Sequence, residues 1–288
     1  MSQLERYFDR LMNDYYLVLI NTWDEQIKAS ARYAISELAK LDQNQRADEV
    51  FLKSLEYIIR RKLGEEFAIK LDEPVKQFCE MSYKLSSEEK QFAGLKISFS
   101  PTDQRNIDMV KRQQVFWLKS HYDSAVSKRM QAVLDHAFED NLSNQELADD
   151  LQKEFKEIMK GSRSYFEGLA EHTGLRIREF GRLKNYEKVG AQYYKIVAVM
   201  DERTSDICRA LNGKIFPLEP ALNAMNAMFE VNEHQSFEEA KEELKRIAPF
   251  VRDNQVEYDS SGKPTGIHGM HTPFPPFHWR CRTRTVLV

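Results

Sequence analysis

Apolar residues recur at steps of three and four from the first residues of this 288-residue chain to about residue 188. The first such run, with charged residues between its members, is Leu4, Phe8, Leu11, Tyr15 and Val18. That spacing places the apolar side chains on one face of an α-helix, which has about 3.6 residues per turn. We therefore expect the chain up to about residue 188 to form long amphipathic helices.

Local signals divide this region into successive helices. Gly64 and Pro74 disturb the periodic pattern, and the segment SFSPTD over residues 98–103 breaks it, because proline restricts the residue before it. Thr102 or Asp103 can cap the helix that follows. Ser143 and Glu146 form a capping-box pattern, which satisfies two free backbone donors where a helix begins. Separate helices are expected before and after these points.

Three glycines, Gly168, Gly174 and Gly181, lie in the last helical stretch before residue 188. Two interpretations are open for them. They permit close contact with neighbouring helices, or they mark local irregularity of the helix.

The pattern changes near residue 190. The segment YYKIVAVM over residues 193–200 is β-branched and aromatic, which predicts a buried strand. Shorter elements follow: a helix in TSDICRAL, an Asn-Gly turn at 212–213, a strand at 215–216, helices at 221–229 and 237–247, a loop rich in Gly and Pro at 260–276, and a strand at 281–288. The predicted fold class is mostly α with a small α+β C-terminal domain, divided into a helical domain over 1–190 and an α+β domain over 191–288.

Charge and cysteine content narrow the classes of protein to which the chain can belong. The formal net charge is -3, so there is no global cationic field and DNA would have to meet a local basic patch. Three cysteines, an odd number, and the absence of a signal-peptide pattern indicate a reducing cytoplasm. The longest apolar run, YYLVLI at 15–20, is shorter than the roughly 18 residues of a membrane-spanning helix, so no span is predicted.

The segment MDERTSDIC, directly after the predicted strand, contains the first candidate functional residues. Thr204 or Asp206 would cap the following helix, where a carboxylate suits the positive end of the helix dipole. Arg203 and Arg209 would then pair with Asp201 or Asp206 and stabilise the turn. The alternative is that Asp201 is a catalytic carboxylate.

Cys208, His278 and Cys281 are candidate metal ligands. The H-x-x-C spacing of the last two lets both side chains reach one ion from a turn, and thiolate and imidazole are the ligands that zinc prefers. A closed zinc site needs a fourth ligand, for which the candidates are His271, His268 and Asp201. The alternative is a pair of buried thiols with a hydrogen-bonded histidine and no cofactor.

Arg280, Arg282 and Arg284 alternate with smaller residues in RCRTRTV and would share one face of the terminal strand. Such a cationic stripe could bind nucleic-acid phosphate or an acidic protein surface. The alternative is a solvated face that pairs with the acidic residues of the chain.

No nucleophile-elbow, P-loop, dinucleotide or H-E-x-x-H motif is present, which predicts that the protein is not an enzyme.

Taken together, these segments resemble the C-terminal signature of the Mu F-like minor head proteins of tailed bacteriophages, also called phage head morphogenesis proteins. The resemblance begins at the predicted strand and lies in the order and spacing of conserved residue types of that family. The matching positions are Asp201, Arg203, Thr204, Cys208, Gly213, Lys214, Pro275, Pro276, His278, Cys281 and Arg282. This sequence departs from the pattern at Ser205, where many relatives have another Cys, and at Trp279, where Pro is common.

The resemblance implies a virion component that binds the portal protein, capsid or scaffold proteins while the head assembles in the bacterial host cytoplasm. It further implies a location inside the phage head, contact with phage DNA, and ejection with the genome. The residues leave two other functions open. One is a metal-dependent nuclease or hydrolase built on Asp201, His271 and His278; the other is a toxin of prophage origin.

Overall fold

The structure is a computed structural model that describes residues 3–41, 48–95, 97–140, 142–231, 236–270 and 274–288. It is 72% helical, with a small antiparallel sheet in the C-terminal region, so the predicted fold class is confirmed. The helices that precede the sheet are α1 (Gln3–Leu38), α2 (Glu49–Ile58), α3 (Gly64–Leu85), α4 (Pro101–Glu139), α5 (Asn144–Gly161) and α6 (Arg163–Lys188). A π-helical turn, Ile59–Leu63, joins α2 to α3.

The starts of these helices follow the predicted capping chemistry. Ser143 caps α5, and Glu146 completes the capping box in both directions. At α4 the cap is Ser100, whose hydroxyl accepts from the Asp103 N–H at 3.3 Å, while Asp103 accepts from the Ser100 N–H at 2.7 Å. The predicted cap at Thr102 or Asp103 is therefore wrong in position, since Pro101 already occupies the first turn, where its missing N–H costs nothing. Pro74 lies inside α3 without ending it.

The C-terminal elements are β1 (Tyr193–Val197), α7 (Asp206–Leu211), β2 (Ile215–Pro217), α8 (Leu218–Glu230), α9 (Phe237–Ile247), β3 (Val256–Tyr258), β4 (Pro264–Ile267) and β5 (Arg284–Leu287). Strand β1 lies between β2 and β5 and is antiparallel to both. Its side chains alternate, so that Tyr194 and Ile196 are buried while Tyr193 faces outwards.

Two sequence expectations for this region are wrong. The residues predicted as a Gly- and Pro-rich loop contain β4, which pairs with β3 in a hairpin, because two short strands can satisfy each other's backbone groups without a long periodic pattern. The terminal strand begins at Arg284 and not at Cys281, because the Cys281 N–H closes a turn onto the His278 carbonyl at 3.3 Å and pairing with β1 starts where Arg284 lies opposite Val197.

All three glycines of α6 allow a close approach, and the helix is continuous through them. A Cβ at Gly168 would lie 2.6 Å from the Trp279 indole nitrogen, and one at Gly174 would lie 3.0 Å from the Phe78 ring. At Gly181 a Cβ would meet the Tyr83 carbonyl oxygen at 2.7 Å. The structure therefore supports close contact and not irregularity.

The chain forms two compact units. The first contains residues 1–13, 76–113 and 168–288, and the second contains residues 14–75 and 114–167. The predicted division into a helical domain over 1–190 and an α+β domain over 191–288 stays a prediction.

A buried ionic network lies in the first unit. Arg182 donates to both oxygens of Glu89 at 2.9 Å and also pairs with Glu179, while Arg178 donates to Glu89 at 2.7 Å. Glu179 in turn accepts from the Thr285 hydroxyl at 2.6 Å, which connects α6 to strand β5. All five residues are buried.

Aromatic rings fill the centre of the second unit. Trp23 is fully buried, and its ring centroid lies 5.1–5.8 Å from those of Phe67, Tyr122 and Phe166. The side chain of the buried Gln26 donates to the Leu63 carbonyl at 2.8 Å. This carbonyl, at the end of the π-helical turn, therefore has a hydrogen-bond partner.

Candidate functional site

The turn between β1 and α7 is stabilised by a set of short-range hydrogen bonds. The Thr204 hydroxyl accepts from the Asp201 N–H at 2.8 Å and donates to the Val199 carbonyl at 2.5 Å. The Arg209 guanidinium donates to the carbonyls of Asp201 and Thr204 at 2.8 and 3.1 Å. Ser205, and not Thr204, is the residue that caps α7, through a hydrogen bond from the Cys208 N–H.

Asp201 joins this turn to the C-terminal segment. Its carboxylate receives two hydrogen bonds from the Arg282 guanidinium, at 2.6 and 2.8 Å, and one from the Arg203 N–H at 3.0 Å. The Arg282 hydrogen bonds are the main reason that the pKa of Asp201 is lowered to about 2. Fork-to-fork pairing of this kind fixes geometry as well as charge, so the structure supports a positioning role for Asp201.

Asp201→Asn should lower the melting temperature by about 2 °C at pH 7, because a neutral amide cannot form the bidentate ion pair. A carboxyl whose folded pKa is depressed stabilises the fold above its unfolded pKa, about 3.9 for Asp, and that contribution is lost as the pH falls towards the folded value. The difference between wild type and variant should therefore disappear between about pH 4 and pH 2. Thermal unfolding followed by circular dichroism measures this.

The control is Glu202→Gln, which removes the same charge from an exposed position in the same turn. It should leave the melting temperature unchanged at both pH values. An equal loss in both variants would contradict the role given to Asp201.

Cys208, His278 and Cys281 meet at one point. The two sulfur atoms are 3.6 Å apart, and the His278 Nε2 atom is 3.2 Å from the Cys208 sulfur. All three potential ligand atoms lie within 4.8 Å of one another. The segment that contains Cys208 and the segment that contains His278 and Cys281 therefore fold against each other, as a shared site requires.

The three groups influence one another's protonation. A hydrogen bond from the Cys208 thiol, helped by the His278 imidazole, holds the pKa of Cys281 well below its usual range although burial opposes this. The same thiol pair, followed by burial, raises the pKa of Cys208. Burial disfavours the charged imidazole, but the neighbouring Cys281 outweighs it and the pKa of His278 is raised.

The surroundings hold the cluster in place from both sides. The Ser205 hydroxyl lies 2.9 Å from the Nε2 atom of His278, and the Nδ1 atom of the same ring lies 2.9 Å from the Trp279 carbonyl oxygen. The Trp279 indole stacks on the buried His172 ring, with centroids 5.2 Å apart, in the space left by Gly168. Sequence reasoning missed His172, because nothing local indicates which ring a distant tryptophan will cover.

The other signature residues shape the backbone around the cluster. Gly213 has a φ of 82°, a conformation in which glycine is free of strain, and its N–H donates to the Ile196 carbonyl at 2.8 Å. The Lys214 ammonium donates to the Thr265 carbonyl at 2.7 Å. Pro275 and Pro276 are buried and joined by a cis peptide bond, and Phe277 separates them from His278.

Three residues were considered as a fourth metal ligand, and they differ in placement. Asp201 and His268 are not part of the group formed by Cys208, His278 and Cys281. His271 lies outside the described residues.

Comparison with known proteins decides the family. The family described as "Phage Mu protein F like protein" matches residues 132–286, which is more than half of the chain. The chain belongs to this family. The Mu F-like match thus covers the C-terminal sheet, the turn at Asp201 and the cysteine-histidine cluster, together with helices α5 and α6 and the end of α4.

Membership of the Mu F-like family makes the chain a bacteriophage head morphogenesis protein, with capsid-related partners. Comparison with curated proteins and with solved structures gives no match. Of the helices that the structure describes, none combines the length and apolar character required to cross a bilayer.

The three arginines near the C-terminus of this Mu F-like chain do not form a common stripe. Arg282 pairs with Asp201, Arg284 donates to Glu5 at 3.0 Å, and Arg280 lies 3.9 Å from Glu171. Since β5 begins at Arg284, the expectation that the three share one strand face is wrong. Binding of nucleic acid by Arg280, Arg282 and Arg284 stays a prediction, and a phosphate would have to compete with these carboxylates.

Proposed function

We propose that this chain is a minor head protein that binds the portal protein, or the inner surface of the capsid, while the head assembles in the host cytoplasm. It then stays inside the head and leaves with the genome. The observation that carries the proposal is the Mu F-like match over residues 132–286, which includes the whole Asp201 turn.

An exposed apolar surface at one edge of the sheet is suited to such a partner. Tyr193 on β1 and Ile215 on the edge strand β2 are 52% and 55% exposed, and the strand register puts both side chains on the same outward face. Val199 and Met200, which follow β1, are 46% and 53% exposed. We call these four residues the sheet-edge surface. Large apolar side chains exposed on one part of a surface are typical of a protein interface.

Co-expression with the portal protein of the same phage tests the proposal. The full chain should co-purify with a tagged portal protein, and Ile215→Lys should weaken the complex by at least about tenfold, because it places a charge in a desolvated contact. Ile69→Lys is the matched control, since Ile69 is 74% exposed on helix α3. That variant should bind like the wild type.

Absence of a complex with both the portal protein and the major capsid protein, at every salt concentration tried, would contradict the proposed function. Binding that Ile215→Lys leaves unchanged would contradict the assignment of the sheet-edge surface.

Neither the hydrolase nor the toxin hypothesis is favoured by a specific contact among the described residues. Among them, the Asp201 carboxylate is paired with Arg282 and lies outside the cysteine-histidine cluster.

A further inference from the structure

We infer that Cys208, His278 and Cys281 bind a zinc ion that joins helix α7 to the segment preceding β5. The inference concerns the stability of this part of the fold and holds whether or not the chain binds a portal protein. It rests on the positions of the ligand atoms, on their chemistry and on the hydrogen bonds that orient them.

The spacing of the ligand atoms is close to that around a tetrahedral zinc ion. Zinc–sulfur bonds of about 2.3 Å and zinc–nitrogen bonds of about 2.0 Å put neighbouring ligand atoms about 3.5–3.8 Å apart. The sulfur atoms here are 3.6 Å apart, and Nε2 lies 3.2 Å from the Cys208 sulfur. The third pair, the Cys281 sulfur and the His278 imidazole nitrogen, lies within 4.8 Å, and side-chain rotation that brings it to about 3.5 Å would admit the ion.

The orientation of His278 is that of a metal ligand. Its Nδ1 atom is within hydrogen-bonding distance of the Trp279 carbonyl oxygen, which makes Nδ1 the donor and leaves the Nε2 lone pair directed towards the two thiols. Metal-binding histidines almost always donate their second ring N–H to a carbonyl or carboxylate in this way. The contact therefore selects the tautomer that zinc requires.

The donor set selects zinc over harder cations. Two sulfur atoms and one imidazole are the soft and borderline ligands that bind zinc, whereas magnesium and calcium require oxygen. The carboxylate of Asp201 is already held by Arg282. Both sulfur atoms belong to buried residues, which are 4% and 1% exposed, and a divalent cation would neutralise the two thiolates that form when it binds.

Ser205 marks the fourth coordination position. Its hydroxyl is 2.9 Å from Nε2 and also accepts from the Cys208 N–H at 3.3 Å, so it is adjacent to two of the three ligands. We assign this position to a water molecule held by Ser205. A thiol at residue 205 would replace that water and convert three protein ligands into four.

The first experiment measures zinc in the full chain after saturation with zinc chloride and desalting. Wild type should retain about one zinc per chain, and Cys208→Ser and Cys281→Ser should each retain less than about a tenth of that, as expected when a thiolate ligand is lost. Cys79→Ala is the matched control, because Cys79 is a buried thiol on α3 outside the cluster. It should retain as much zinc as the wild type.

Two further measurements keep the inference testable if a serine variant folds poorly. Cobalt added to the wild type should produce thiolate-to-cobalt charge-transfer absorption that zinc abolishes. Ser205→Cys should increase zinc affinity by at least about tenfold in competition with a chromophoric chelator, because a fourth protein ligand closes the site.

Zinc below about a tenth of an equivalent in folded wild type after saturation would overturn the inference. So would the same zinc content in the wild type and in both serine variants, which would indicate an adventitious ion. A thiol titration in denaturant that finds Cys208 and Cys281 joined as a disulfide would also overturn it, since that bond requires the sulfur atoms to approach to about 2.05 Å.

Discussion

Arg182→Ala should lower the free energy of unfolding by about 3–5 kcal/mol, the largest effect we expect from a single charge in this chain. Arg182 is the only residue of the described network that pairs with both Glu89 and Glu179. Its removal leaves Glu179 buried beside strand β5 with only hydrogen bonds from Thr285. An unpaired buried carboxylate carries a large desolvation cost that these neutral donors do not offset.

The loss in Arg182→Ala should also depend on pH in a defined direction. Burial raises the pKa of Glu179 even with Arg182 present, and loss of the arginine should raise it further. A carboxyl with a raised folded pKa destabilises the fold increasingly as the pH rises through that value. Glu89 acts below this range, because Arg182 outweighs burial and lowers its pKa, so the stability that Glu89 contributes is lost only as the pH falls below its unfolded value of 4.5. The pH dependence between pH 5 and pH 8 therefore comes from Glu179. The gap between wild type and variant should therefore be larger at pH 8 than at pH 5.

Urea unfolding followed by circular dichroism at both pH values measures these effects. The control is Arg246→Ala, which removes an exposed arginine that pairs with Glu243 on α9, and it should change stability little at either pH. A loss in Arg182→Ala no greater than in this control, or one that grows as the pH falls, would contradict the role given to the network.

Trp23→Ala should lower the free energy of unfolding of the second unit by about 3–5 kcal/mol. Trp23 contacts Phe67, Tyr122 and Phe166 in edge-to-face geometry, and its removal would leave a cavity among rings from separate helices. The rigid aromatic neighbours cannot fully collapse into such a space. The variant therefore loses the transfer free energy of the buried ring and also incurs the cost of the cavity that remains.

Trp23→Phe tests whether the size of the Trp23 side chain or its indole N–H stabilises the core. Among the described residues no acceptor lies within hydrogen-bonding distance of the buried Trp23 indole N–H. Phenylalanine would therefore reduce the buried volume without removing a hydrogen bond. It should cost less than half as much as Trp23→Ala. Leu17→Ala, at a position 44% exposed on the same helix, is the surface control and should cost less than about 1 kcal/mol. Equal losses in all three variants would contradict this account of the core.

The helices could be predicted because their signals are local. The capping box at Ser143 and the bounds of α9 follow from residues within one helical turn of each other. The spacing of apolar residues is likewise a property of neighbouring positions, so the long helices up to Lys188 can be predicted without knowledge of any tertiary contact.

The candidate site was predictable only in part. The residues Cys208, His278 and Cys281 could be named as one candidate metal site from their ligand chemistry and from the H-x-x-C spacing. The partners of the three arginines could not be named, because Glu5, Glu171 and Asp201 are distant in sequence from the residues that they pair with. The β3–β4 hairpin was missed because strands of three and four residues are too short to show a period.

The helical class, the capping box at Ser143, the Mu F-like family and the residue types of the cysteine-histidine cluster all follow from the amino-acid sequence. Each of these depends on chemistry at a position or on spacing along the chain. The folded molecule was needed to show that Glu89 and Glu179 share Arg182, that Gly168 makes room for Trp279, and that Ser205 faces the imidazole of His278. These contacts join side chains brought together by packing, and packing depends on the shape of the whole core, which no local pattern encodes.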